Sequence, residues 1–187
     1  MSILRSHSRE PYHPARGSTR DICMHYGGLL RPSHTAASMI VALKPGCKPL
    51  ILASISPYPC LSAYKPIPFG FNPPVSFKET SNKYNPENYW WVHRRLKSLL
   101  QSCYYSQVVR EYINGVRGIE EEYLKPLILE YSEGKCVEDE SYSILESMIE
   151  AENKLLTKAS KAISGKYCWR HPFHTLILKK SDGKAGF

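Results

Sequence analysis

The chain has 187 residues, 42% hydrophobic and 11% aromatic, with a formal net charge of +8. That much apolar material buries a core, so the composition excludes a disordered chain, and the length suits one domain or part of a larger one. The longest apolar run, "PLILASIS" (49–56), is strand-sized, so no membrane span and no membrane partner are expected.

The positive charge invites a nucleic-acid reading, but its distribution argues against one. Residues 110–152 carry twelve of the seventeen acids against four basic residues, so the basic surplus lies in the two flanks. No run of four Lys/Arg occurs and no basic stripe is interleaved with aromatics, so nucleic acid is not an expected partner. "MSILRSHSRE" has no apolar segment behind its charges, and no signal peptide is expected. Cys23, Cys47, Cys60, Cys103, Cys136 and Cys168 form no CxxC pair; they read as mostly free and reduced, hence cytoplasmic.

In chain order, residues 1–33 are polar and loop-like, rich in Arg, His, Ser and Pro. At His34 the pattern changes. "HTAASMIVALK", the turn signal "PGCKP" and "LILASIS" predict an antiparallel β-hairpin over 34–58. Its continuous apolarity suggests strands covered on both faces. A Pro- and aromatic-rich loop follows over 59–86, a length that is uncommon unless the loop has a role. Helices are expected over 87–165. The first has Asn85 as N-cap and Pro86 at its first position, with Val92, Leu96, Leu99, Leu100 and Cys103 on one face. The second runs through Val109, Tyr112, Ile113, Val116, Ile119 and Tyr123, to be ended or kinked by Pro126. The third begins in "EDES" and places Leu145, Met148, Ile149, Glu152, Leu156, Ala159 and Ile163 in succession. "HTLILKK" (174–180) reads as a closing strand. The order is that of an α+β protein, with helices able to cover one face of an antiparallel sheet.

Candidate chemistry is sparse. Cys60 and Ser62 lie in "PYPCLSAYKPIPFG" (57–70), just after the second strand. A cysteine nucleophile needs a base or positive group beside it, and the local sequence supplies Lys65 but no histidine; a small packed residue is the plainer reading. Cys168, His171 and His174 stand at CxxHxxH spacing, and "CMH" adds Cys23 and His25. These are side chains that zinc accepts, but no established finger spacing is met and Pro172 separates the two histidines, so no metal site is expected and Cys168, His171 and His174 are only weak candidates. "YGG" (26–28) and "NGVRG" (114–118) lack the rest of any phosphate-binding signature. Of Trp90 and Trp91, one reads as core, with His93, Arg94 and Arg95 its solvated edge.

Five landmarks carry a resemblance: "SILR", "DICMHYGG" (21–28), "HTAASMIVAL" (34–43), "PCLSAYKPIPFG" (59–70) and "YWWVHRRLKSL" (89–99). In this order they resemble the secernins and the related dipeptidase-A cysteine peptidases, over residues from about Ser2 to about Leu100. The resemblance implies an N-terminal-nucleophile hydrolase fold, an αββα sandwich of two antiparallel sheets between helical layers. It implies a cysteine nucleophile at the mature N-terminus whose own α-amino group is the base. No residue here matches that cysteine; Cys23 falls at the "ICM" landmark and Cys60 in the loop landmark. The implied reading is the C-terminal half of such a hydrolase, acting on dipeptides or small amides and inactive alone, with no cofactor. Its partner is the N-terminal half of the domain, or a separate chain supplying it, together with a small peptide substrate. A truncated gene start, a split enzyme and a stand-alone non-catalytic interaction or regulatory protein are the competing explanations. By the same resemblance His34, Thr35, Ser38, Cys60 and Ser62 are substrate-pocket candidates, against backbone-bonded hydroxyls at strand ends. His25 stands where an acid is expected.

Overall fold

The structure, a computed structural model, describes residues 1–9, 11–27, 30–72, 77, 83–164 and 172–186. Its sheet is antiparallel, with strands β1 (Ser38–Ala42), β2 (Leu50–Ser54) and β3 (Lys65–Ile67) in the order β1-β2-β3. The hairpin turns where the sequence places it. Gly46 has φ +81° after Pro45, and Cys47 N donates to Lys44 O at 3.3 Å, the arrangement of a type II turn.

The first part of the long loop is not structureless. Pro59–Leu61 form a 3-10 turn and β3 pairs with β2 through Ile51 and Ile67. Coverage of the sheet is uneven. Register puts Ile40, Leu50 and Leu52 on one face, where Leu50 and Leu52 join the core and Ile40 packs against it. Met39, Val41, Ile51 and Ile67 share the other face, where Met39 is 61% and Val41 43% exposed and Ile51 and Ile67 are half-buried. Leu43, just past β1, is 78% exposed. The two-faced cover expected from continuous apolarity therefore fails along β1.

The described helices are α1 (Tyr89–Ser102), α2 (Gln107–Ile119), α3 (Lys125–Ser132), α4 (Glu138–Ile163) and α5 (Pro172–Ala185). Asn88, not Asn85, caps α1 by accepting from Trp91 N, while Asn85 accepts from Glu87 N in the preceding turn. Ser106 caps α2 through Val109 N. Pro126 does not end the helical run. A π-turn, Glu120–Leu124, links α2 to α3 and absorbs the backbone bond that proline cannot make. Glu138, Asp139 and Glu140 in the first turn of α4 and Lys161 in its last suit the helix dipole. Val109, Tyr112 and Val116 of α2 meet Met148, Leu156 and Ala159 of α4 in the core.

Two further expectations fail. The segment 174–180 is helical: His174 and Leu178, four apart, are the buried residues of α5, and Arg94 pairs with Asp182 at 2.9 Å to hold the helix on α1. A short apolar run cannot by itself distinguish strand from helix. The cysteines are not mostly reduced either. Cys47 and Cys136 form a disulfide between the β1–β2 turn and the segment before α4, and Cys103 is also disulfide-bonded. No helix among the described residues is long and apolar enough to cross a membrane.

Candidate functional site

The polar segment 1–33 folds inward. Asp21 holds it together, accepting from Ser8 N (2.7 Å), Ser8 Oγ (2.6 Å) and Ser18 N (2.8 Å), and Cys23 N donates to Ser6 O (3.1 Å). Burial raises the Asp21 carboxyl, but the bonds from Ser8 and Ser18 outweigh it and keep the pKa below the ordinary value. Arg31 is buried, with one guanidinium nitrogen on His25 O and another on Pro14 O, both at 2.9 Å. These bonds bring His7, Cys23 and His25 together.

Cys60 arrives from the opposite side. Tyr58, buried with φ +61°, takes a left-handed conformation that side chains avoid, and it turns the chain into the 3-10 segment that carries Cys60. Lys97 of α1 clamps this loop at both ends, donating to Ser56 Oγ and Ser62 Oγ at 2.7 Å each. Arg117 donates to Cys60 O (2.8 Å), and Arg5 donates to Pro59 O and Ser62 O (2.9 Å each) while pairing with Glu120.

Four metal-capable side chains result. The ligand atoms of His7, Cys23, His25 and Cys60 all lie within 4.8 Å of one another, and all but half-buried His7 are buried. His25 Nε2 is 3.1 Å from Cys60 Sγ and 3.8 Å from Cys23 Sγ, and Nδ1 is 2.7 Å from Gln101 Oε1. Gln101 Oε1 accepts only, which puts the imidazole proton on Nδ1 and turns the Nε2 lone pair toward the thiols. The rings are fixed by stacking: His7 lies 3.4 Å from Tyr12 at 5°, and His25 4.9 Å from Tyr58 at 20°. The two thiols differ. A hydrogen bond to Cys60, then burial, pushes Cys23 up to about 12. Burial raises Cys60 too, but the bond from Cys23 and the Arg117 charge outweigh it and hold Cys60 below an ordinary thiol.

A buried charge cluster lies beneath the same loop. Glu152 of α4 pairs with Lys65 of β3 and with Lys97 at 3.0 Å, all three fully buried. Burial raises the Glu152 carboxyl, but the two lysines more than reverse that and hold it far below the carboxylate range. Burial pulls Lys97 down to about 8 against the pull of Glu152. His93 Nδ1 is 3.9 Å from Glu152, a neighbour contact and not an ion pair, because burial and then the Lys97 charge pull the ring down to about 3. The close Lys97–Ser62 contact is not a nucleophile pair. Ser62 is fully buried and aims its proton at Pro57 O (2.9 Å) or Tyr58 O (3.0 Å).

The five pocket candidates do not form one site. Thr35 Oγ1 donates to Ile22 O and accepts from Met24 N at 2.9 Å each, and Ser38 Oγ bonds Ser54 and Tyr64: strand-end hydroxyls doing backbone and scaffold work. Ser62 serves the charge cluster. Cys60, 6% exposed, joins the histidines. His34 stacks between Tyr58 and Trp90, and burial pulls it down to about 3. Among the weak metal candidates, Cys168 and His171 lie outside the described residues, and His174 contacts Tyr26 O at 3.3 Å, away from the quartet. His7 and Gln101 were not singled out from sequence. Their signals are faint: His7 lies two residues past "SILR", and Gln101 falls four residues after Lys97 on α1.

Comparison with known proteins adds no family: no family model, curated protein or solved structure matches the chain.

Proposed function

We propose that the chain is the C-terminal half of a secernin-like cysteine hydrolase of dipeptides or small amides, catalytically incomplete alone. The observation that carries this reading is the face of Met39, Val41, Ile51 and Ile67, which ends at an edge of β1 that no strand among the described residues pairs with. The αββα sandwich implied by the resemblance packs a second sheet against such a face and continues pairing at such an edge, which an isolated protein otherwise has to protect. In this reading the N-terminal half, or a separate chain supplying it, brings the nucleophile cysteine with its α-amino base. Of the pocket candidates, His34 is half-buried at the entry to β1, and its Nε2 is buried without a hydrogen-bond partner. Thr35, Ser38, Cys60 and Ser62 bond into the scaffold around it and do not line a shared pocket in this chain. The bonds at Cys47, Cys136 and Cys103 remove the reduced-cysteine ground on which the sequence reads as cytoplasmic, because such bonds are rare in a reducing cytosol.

The same face serves the second reading, a non-catalytic interaction or regulatory protein on this scaffold. Dipeptide hydrolysis separates the two, measured on the chain alone and mixed with the polypeptide supplying the remaining strands. Turnover only in the mixture is the expected result. Binding without turnover favours the interaction scaffold. Turnover by the chain alone that is lost in Cys60→Ser contradicts both and makes Cys60 the nucleophile.

A further inference from the structure

We propose that His7, Cys23, His25 and Cys60 bind one structural zinc ion. This goes beyond the hydrolase reading and does not depend on it.

Geometry comes first. Tetrahedral zinc with bonds of about 2.0–2.3 Å places neighbouring ligand atoms about 3.6 Å apart. The contacts of His25 Nε2 to Cys60 Sγ (3.1 Å) and Cys23 Sγ (3.8 Å) bracket that spacing. The widest pair of the quartet, at most 4.8 Å, needs to close by about 1 Å. The donor set is the two-cysteine, two-histidine set of closed structural sites.

Second, the supporting shell is that of a metal ligand. The Gln101 carbonyl oxygen takes the Nδ1 proton of His25 at 2.7 Å, which fixes the ring with Nε2 free to coordinate. Tyr12 and Tyr58 hold the imidazole planes by stacking.

Third, charge and access decide between zinc and catalysis. Two thiolates and two neutral imidazoles around Zn²⁺ make a neutral unit, which a buried site accommodates. Cys60 at 6% exposure and Cys23 at 0% leave no room for an amide substrate, whereas an ion needs only the space between the four atoms. Binding releases the two thiol protons to solvent as the Zn–S bonds form, and the imidazole lone pairs complete the shell; no oxidant is required. The ion joins His7 and the "CMH" segment (23–25) to Cys60 of the 59–61 loop, 35 residues beyond His25, and these pieces share few regular backbone bonds.

The test is metal content and cobalt substitution on the full chain, purified without added reductant so that the Cys47–Cys136 bond stays closed. Expected are one zinc per chain after dialysis and, with Co²⁺, thiolate charge-transfer bands with the intense visible bands of a tetrahedral site. Cys23→Ser and Cys60→Ser each reduce metal affinity by about tenfold or more. The cobalt spectrum is read on the unaltered chain, so poor folding of a variant does not blunt the test. Zinc at background in the unaltered chain, a cobalt spectrum without thiolate bands, a Cys23–Cys60 disulfide in the isolated protein, or zinc retained by the Cys23→Ser/Cys60→Ser double variant overturns the proposal. Metal content is read without reference to dipeptide turnover, so either reading can fail alone.

Discussion

His25 Nε2 lies 3.1 Å from Cys60 Sγ although 35 residues separate the two in sequence. Each is held by different elements: His25 by Arg31 and Gln101, Cys60 by Arg117 and the strained Tyr58 turn. The pairing is thus a product of the whole fold, and its disturbance is measurable from several directions.

Gln101 positions His25, and Gln101→Leu removes the acceptor for Nδ1. The expected result is a loss of Co²⁺ affinity of about 10–100-fold with the thermal unfolding of the metal-free chain shifted far less. Gln101→Glu, which keeps an acceptor oxygen, restores most of the affinity. Equal affinity in all three proteins contradicts the positioning role.

Gly27 is needed for the approach of Arg31. A Cβ there would lie 2.2 Å from Arg31 Nη2 and 2.3 Å from Cζ, and the guanidinium is pinned to His25 O and Pro14 O. Gly27→Ala is expected to cost about 1–3 kcal/mol in urea unfolding. An unchanged midpoint shows that Arg31 swings away freely.

Glu152 is the only acid shown pairing with Lys65 and Lys97 among the described residues. Glu152→Gln leaves two buried ammonium groups without a counter-charge and is expected to destabilise by about 3–5 kcal/mol. Replacing Lys65 and Lys97 with Met in the same variant recovers part of the loss. A near-neutral Glu152→Gln contradicts the buried network.

Acid stability depends on His34 and His93, which burial holds neutral down to about pH 3 in the folded chain. Unfolded, each takes up a proton near 6.5, so the unfolded state binds more protons between these values and stability falls as pH drops through that window. The loss is about 2 kcal/mol per histidine between pH 6.5 and 5, at most. Glu152 adds to the loss only below the ordinary carboxylate value, because its folded pKa is depressed. Urea midpoints at pH 7 and pH 5 check this, with a smaller drop in His93→Gln. A flat profile contradicts it.

The Cys47–Cys136 bond closes a loop of 89 residues. Cys47→Ser is expected to lower stability by about 4 kcal/mol, chiefly by freeing the unfolded chain. Equal midpoints for the oxidised and reduced chains contradict that.

Helices α2 and α4 are legible in the sequence because most of their buried residues are apolar and recur at helical spacing: Val109, Tyr112 and Val116; Leu145, Met148, Leu156, Ala159 and Ile163. Helix α1 forms as expected and buries Leu100, but much of its buried face is polar, which the sequence does not reveal. His93, Arg94, Lys97, Ser98 and Gln101 turn inward, and Leu99 is 42% exposed. These side chains find partners far along the chain, such as Asp182 for Arg94 and Glu152 for Lys97, although His93 Nδ1 and Gln101 Nε2 have no hydrogen-bond partner, and no local pattern announces such partners. β3 was hidden for a similar reason: a three-residue strand containing Pro66 is defined by pairing with β2, not by its own composition. At the site, Cys23, His25 and Cys60 each drew notice singly. Their convergence with His7 depends on the Asp21, Arg31 and Lys97 bonds, which sequence spacing does not encode.

The most direct measurement maps the cysteine alkylated by a dipeptidyl chloromethyl ketone in the active species carrying this sequence, isolated from its source. The hydrolase reading predicts label on an N-terminal cysteine outside residues 1–187, with Cys23 and Cys60 unlabelled. Label on Cys60 or Cys23 would contradict it and move the chemistry into this chain.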